Sequence, residues 1–199
     1  MILDEPVVMA TDYVLAISML VMGSRLESKK ERILFFAAAL TALIGGTRHG
    51  FKTTIPPLPL EVGWRIGLAA FGVSSWALAT LVLPERFHKF FTVKLAVYLV
   101  GLCFIGVFEY AIGNYAFDVT VATLAVLVRV NRNWVFLAGT AFTAVGAVFL
   151  RAPWSLGPLP PASLFHLTEL AGCYCWYRAM KENGLGPLTS PTGEGISRL

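Results

Sequence analysis

Charge is scarce in this chain. Asp, Glu, Lys and Arg make up 14% of its 199 residues, where a soluble domain carries about 25%. With 56% hydrophobic residues, one small soluble core cannot bury the apolar surface, so the bilayer is the expected solvent. Three cysteines, Cys103, Cys173 and Cys175, lie inside apolar runs without metal-ligand spacing and read as packing residues. No HExxH motif is present. The start carries Asp4 and Glu5 where a secretory signal has a basic segment, so the first apolar run is expected to be retained. No internal repeat of the kind that transporters carry stands out. The net charge of +4 comes from basic residues in short loops, which excludes a nucleic-acid-binding patch as its reason.

What is present is a series of apolar runs, each near the roughly 20 residues that a spanning helix needs. They cover Pro6–Gly23, Ile33–Phe51, Trp64–Leu83, Phe90–Phe108, Tyr115–Val130, Trp134–Leu150 and Ala162–Met180. The fold class that follows is an all-α membrane protein, a bundle of seven transmembrane helices over residues 1–181, with a disordered tail over 182–199. Proline clusters, Pro56, Pro57 and Pro59 and then Pro153, Pro158, Pro160 and Pro161, predict stiff loops after the second and sixth helices. One side of the bundle receives Arg25, Lys29, Lys30, Arg32, Arg86, Lys89, Arg129, Arg132, Arg178, Lys181 and Arg198; the other receives Arg48, Lys52, Arg65 and Arg151. The positive-inside rule puts the first set, and the C-terminus, in the cytosol and the N-terminus outside or in an organelle lumen. The expected location is a plasma membrane or endomembrane. Lys94, within the fourth run, is expected to snorkel to the cytosolic interface.

Charge inside a membrane is costly and marks function. The ionisable groups gather in the outer half: Asp12 in the first helix, Arg48 and His49 closing the second, Trp64 and Arg65 opening the third, Glu109 and Tyr110 ending the fourth, Asn114 and Asp118 opening the fifth, His166 and Glu169 in the seventh. Asn114 and Asp118 share a helix face by spacing, as do His166, Glu169 and Cys173. Asp12, His49, Asp118, His166 and Glu169 are therefore expected to face one another, with Asp12, Asp118, His166 and Glu169 catalytic and Asn114, Glu109, Tyr110 and Trp64 contacting substrate. Imidazole with carboxylate suits zinc, with His49, His166 and Asp118 or Asp12 as ligands. Without metal, a buried carboxyl can act as the general acid of an isoprenoid or terpenoid cyclase or isomerase. Blander readings stand beside these: His49 as an interfacial helix end, Asn114 and Asp118 as a helix N-cap, and the acids as parts of a structural hydrogen-bond network.

Seven helices with His49 in the second, His166 in the seventh and buried acids between them resemble the CREST superfamily of membrane hydrolases, which includes alkaline ceramidases and adiponectin-receptor-like proteins. The resemblance implies zinc-dependent cleavage of a lipid amide or ester. This chain has Gly45 where the family has a serine, no aspartate between Trp64 and Leu83, and Leu170 where the family has a second histidine in the last helix. Only His49 and His166 carry over, with Asp118 and Glu169 as substitute ligands. The expectation is a membrane-embedded enzyme acting on a lipid-like substrate; a lipid-binding, transport or accessory protein is the reading of another class.

Overall fold

A computed structural model describes residues 3–105, 107–128, 133–151 and 155–183. Seven α-helices make up nearly all of them: α1 (Pro6–Ser24), α2 (Lys29–Phe51), α3 (Pro57–Val82), α4 (His88–Phe104), α5 (Phe108–Leu127), α6 (Trp134–Arg151) and α7 (Pro161–Asn183). Six, α1 to α6, are long and apolar enough to cross a membrane. The seventh is as long but more polar, because Ser163, His166, Thr168 and Glu169 sit on it. Of the tail expected to be disordered from 182 on, residues 182 and 183 continue α7, and the rest, with Pro153 and the basic pair Arg129 and Arg132, lies outside the described residues.

Three helices open on proline: Pro6, Pro57 and Pro161. A helix's first amides have no internal acceptor, so proline costs nothing there and its fixed φ starts the turn. This corrects the loop expected at Pro56–Pro59. Pro57 and Pro59 belong to the first turn of α3, so Trp64 and Arg65 lie about two turns inside that helix rather than opening it. A second correction matters more. The break between α4 and α5 falls between Phe104 and Phe108, not between Phe108 and Tyr115 as the apolar runs predict. Glu109 and Tyr110 therefore open α5, and Asn114 and Asp118 lie in its interior and cap nothing.

Neighbours in the chain run antiparallel. Glu5 meets His49 while Gly23 meets Phe36, and Thr41 bonds the Gly67 carbonyl while Ser74 bonds that of Leu34. α3 and α5 run parallel, pairing Trp64 with Phe108, Phe71 with Tyr115 and Ser75 with Asp118. α1 packs on α2 and α7, α7 on α6, α2 on α3, and α3 on α5 and α4. α6 and α7 approach until a Cβ on Gly139 would stand 2.7 Å from the Gly172 carbonyl oxygen, so both positions require glycine. The surface is inverted relative to a soluble protein. Val14, Ile17, Val93, Val97 and Val148 face outward, while Asp12, Ser75, Asp118, Ser163, His166 and Glu169 are buried.

Candidate functional site: a polar head on an apolar cavity

A cavity of about 350 Å³ lies between α1, α2, α3, α5 and α7. Its ionisable groups gather toward the end of the bundle where Glu5 and His49 meet, Asp12, Arg48, His49, His166, Glu169 and Tyr115, while the hydroxyls of Thr41 and Ser74 lie deeper. Deeper, the wall is Leu15, Met19, Leu34, Phe35, Phe71 and Trp176. Asp12 is six residues inside α1 and Glu169 eight inside α7, so the polar level lies about 9–12 Å below that helix end.

α1 and α7 wire the site together. His166 Nε2 is 3.2 Å from Asp12 Oδ1, and its Nδ1 is 3.1 Å from Thr11 Oγ1. Thr11 also donates to the Val8 carbonyl, 2.9 Å away. When Thr11 makes that bond, Nδ1 carries the imidazole proton and Nε2 accepts one from Asp12; when Thr11 turns to Nδ1, Nε2 donates to the carboxylate. The two arrangements differ by one proton on the Asp12–His166 pair, and the Thr11 hydroxyl can serve either. One turn along α7, Tyr115 Oη donates to Glu169 Oε1 at 2.7 Å. That bond joins α5 to α7, whose backbones do not pack closely. Asp12 Oδ2 is buried without a hydrogen-bond partner among the described residues, and Glu169 Oε2 makes no bond of ordinary geometry although the Thr143 hydroxyl lies close to Glu169. A buried carboxyl oxygen is costly to leave unmet. It takes either a proton of its own or a donor on a ligand. Gly45 makes the room: a Cβ there would lie 3.3 Å from both Asp12 oxygens.

The cavity mouth is held by an exposed clasp. Glu5 accepts from His49 Nδ1 at 2.8 Å and from Lys52 Nζ at 2.5 Å, and Thr53 donates to Asp4. Lys52's hydrogen bond, above all, holds the Glu5 carboxyl below its ordinary range, and the Thr53 amide does the same for Asp4.

Of the five residues expected to converge, Asp12, His49, His166 and Glu169 line this cavity and Asp118 does not. Asn114 and Asp118 share a face, as their spacing requires, but it meets α3 and α4. Lys94 Nζ lies 2.9 Å from Asp118 Oδ1 and 2.5 Å from Asn114 Oδ1, and Ser75 Oγ donates to Asp118 Oδ2 at 2.7 Å. Lys94 is therefore engaged inside the bundle and does not snorkel to its end. Trp64 lines the cavity, whereas Tyr110 stacks on Tyr98 and Glu109 is exposed. The zinc set is not assembled. Asp118 is taken by Lys94, both His166 nitrogens are engaged, and His49 Nδ1 is turned to Glu5 with its ring centroid 6.4 Å from that of His166. Among the described residues no three His, Cys, Asp or Glu side chains are grouped to hold a metal. Sequence reading missed Thr11 as the partner of His166 and Tyr115 as the partner of Glu169. Thr11 adjoins Asp12; Tyr115 carried no signal, since which α5 face meets α7 is a matter of packing.

A family model described as a family of unknown function (DUF6962) matches residues 7–184. No curated protein and no solved structure matches the chain.

Proposed function

The chain belongs to the DUF6962 family, and with no activity attached to that family we propose its function from the cavity: a membrane-embedded acid–base enzyme acting on a lipid-like substrate. One observation carries the reading. Two buried carboxyls, Asp12 and Glu169, share one cavity with a largely apolar deeper wall, and each has one partnered oxygen and one that makes no hydrogen bond among the described residues. Purely structural acids would be expected to spend both oxygens on protein donors.

The chemistry these residues suit is proton addition and removal in a dry site. Asp12 gives its Oδ2 proton to an alkene, epoxide or carbonyl of the substrate, and the substrate's electron pair forms the new bond to hydrogen. Thr11 and His166 stand behind Asp12 to restore the proton. Positive charge developing on the adjacent carbon is met by the faces of Phe35, Phe71, Tyr115 and Trp176. Loss of a neighbouring proton to Glu169 then ends an isomerisation or cyclisation. The apolar wall excludes water, which would otherwise trap the cation. Metal-dependent hydrolysis is the weaker reading, because its ligands are not gathered.

The bilayer placement belongs to the same proposal. All seven helices cross, with α7 tolerated despite its polarity because its polar face is turned to the cavity; the Glu5 end is external and the C-terminus cytosolic.

The test compares lipid extracts of cells expressing the native chain with those expressing Asp12→Asn or Glu169→Gln, separating isomers of equal mass. The expected result is a species that the native chain depletes or forms and that either variant alters by about a hundredfold or more. Identical profiles for native, both variants and cells lacking the chain would sink the enzyme reading. A lipid that co-purifies with all three proteins unchanged would make this a binding protein instead.

A further inference from the structure

Arg48 is the cation that the cavity wall leaves unanswered. Glu5 is the acid at the mouth, and His49 and Lys52 occupy its oxygens. Asp12 faces His166, and Glu169 faces Tyr115. Among the described residues no carboxylate lies within ion-pair reach of Arg48, and none of its N–H groups finds an acceptor. It rests instead on the indole of Trp64, with Cζ 4.8 Å above the ring, and both side chains line the cavity.

The comparison with Arg65 is instructive. That guanidinium, on the next helix, pairs with Glu61 and donates to the Leu102 and Cys103 carbonyls at the end of α4, so its structural work is plain. Arg48 also lies near a helix C-terminus, where a cation is favoured by a few tenths to about 1 kcal/mol. That explains a charge in the last turn of α2 but not its half-buried place on the cavity wall. Contact with the Trp64 ring satisfies none of the guanidinium's N–H donors, which remain available to a planar or tetrahedral oxyanion.

Resting on the cavity being a lipid site, we infer that its occupant is an amphiphile with an anionic head group, a carboxylate, phosphate or sulfate, bound at Arg48. The hydrocarbon runs from there past Asp12 and Glu169 toward Trp176. This order places the reacting carbons in the first part of the chain, close to the head and away from the far tail.

The probes are 12-bromododecanoate and 12-bromododecan-1-ol, which share a chain and differ in head charge, added to the full chain in nonionic detergent. Bromine quenching of tryptophan emission reads the binding. The carboxylate is expected to bind about tenfold more tightly than the alcohol or better. Arg48→Gln erases the difference and leaves alcohol binding unchanged; Arg48→Lys, which keeps charge and size, retains part of it and guards against misfolding. Repeating the titration in bilayers with and without phosphatidylglycerol separates sources. Loss of the advantage there assigns the head group to a bilayer lipid, persistence assigns it to a free amphiphile, and the anion site stands in both cases. Equal binding of the two probes, unaffected at Arg48, overturns the inference while the lipid cavity survives. Binding of neither overturns both.

Discussion

Asp12 and Glu169 occupy the same wall but are supported differently. Asp12 has an imidazole that can exchange protons with it; Glu169 has a phenol that only donates. The two acids should therefore fail differently. Asp12→Asn removes the proton that His166 and Thr11 can restore, and turnover should fall about a hundredfold or more. Glu169→Gln keeps an oxygen for Tyr115 and should stop product release of the proton while substrate binding persists. Single-turnover measurements on the purified protein would separate them; equal residual rates at every stage would refute the division of labour. The clasp makes a pH prediction. The Glu5 carboxyl is lowered, chiefly by Lys52, from an ordinary value of 4.5. Its contribution is thus fully present above that value and is lost as the pH falls through the lowered one. Lys52 is raised from 10.5, chiefly by Glu5, so its share persists below that value and disappears on strong alkalinisation. Both groups are largely exposed, so the effect is modest. Melting followed from pH 6 downward should show a decline that Glu5→Gln abolishes.

Elements are held to one another by two devices. The first is the ion pair through which α4 meets α5. Lys94 is one-fifth exposed and Asp118 almost fully buried. Removing one partner strands a charge, which costs about 3 kcal/mol or more, whereas replacing both with apolar groups of similar volume is close to neutral. Lys94→Met and Asp118→Leu should each lower resistance to denaturing detergent, and the double variant should regain most of it. Additive losses would mean that the pair is not coupled. The second device is the glycine contact between α6 and α7. A methyl on Gly172 would meet the Gly139 carbonyl at 2.8 Å, backbone against backbone. Gly172→Ala should therefore destabilise by about 1–3 kcal/mol, through overpacking rather than helix propensity. Because His166 and Glu169 ride on α7, the same variant should weaken probe binding in the cavity. Unchanged binding would show that the polar face of α7 is positioned by α1 alone.

The whole molecule turns a polar face inward at one level and apolar faces outward everywhere else. The proposed seven crossings put positions 52 and 89 on opposite sides of the membrane. In a variant lacking the native cysteines, Lys52→Cys should react with an impermeant thiol reagent from outside, and Lys89→Cys only after permeabilisation. Labelling of both from one side would require α1 to α3 to cross differently. At this scale the cavity also bears on the polarity of α7, which carries His166 and Glu169 and is too polar to pass as a span on composition.

What the residues alone determined is the number of helices and, on α1 and α7, the depth of the polar groups. Both are one-dimensional properties, since a membrane fixes the length of each apolar run and spacing along α7 puts His166 and Glu169 on one face. The misplaced α4–α5 boundary shows where that logic stops. The true break, between Phe104 and Phe108, falls in an apolar stretch with no proline or polar residue and only Gly106 to mark it, while Gly113 and Asn114 imitate a break inside α5. That slip of about two turns hid the meeting of Asp118 with Lys94. Only the tertiary structure decided which acids share a cavity, because the rotation of each helix about its axis is set by the neighbours it packs against. Asp12 turns toward His166 across Gly45, Asp118 turns away toward Lys94, and Arg48 is left on the wall against an indole, with no acid among the described residues to answer it.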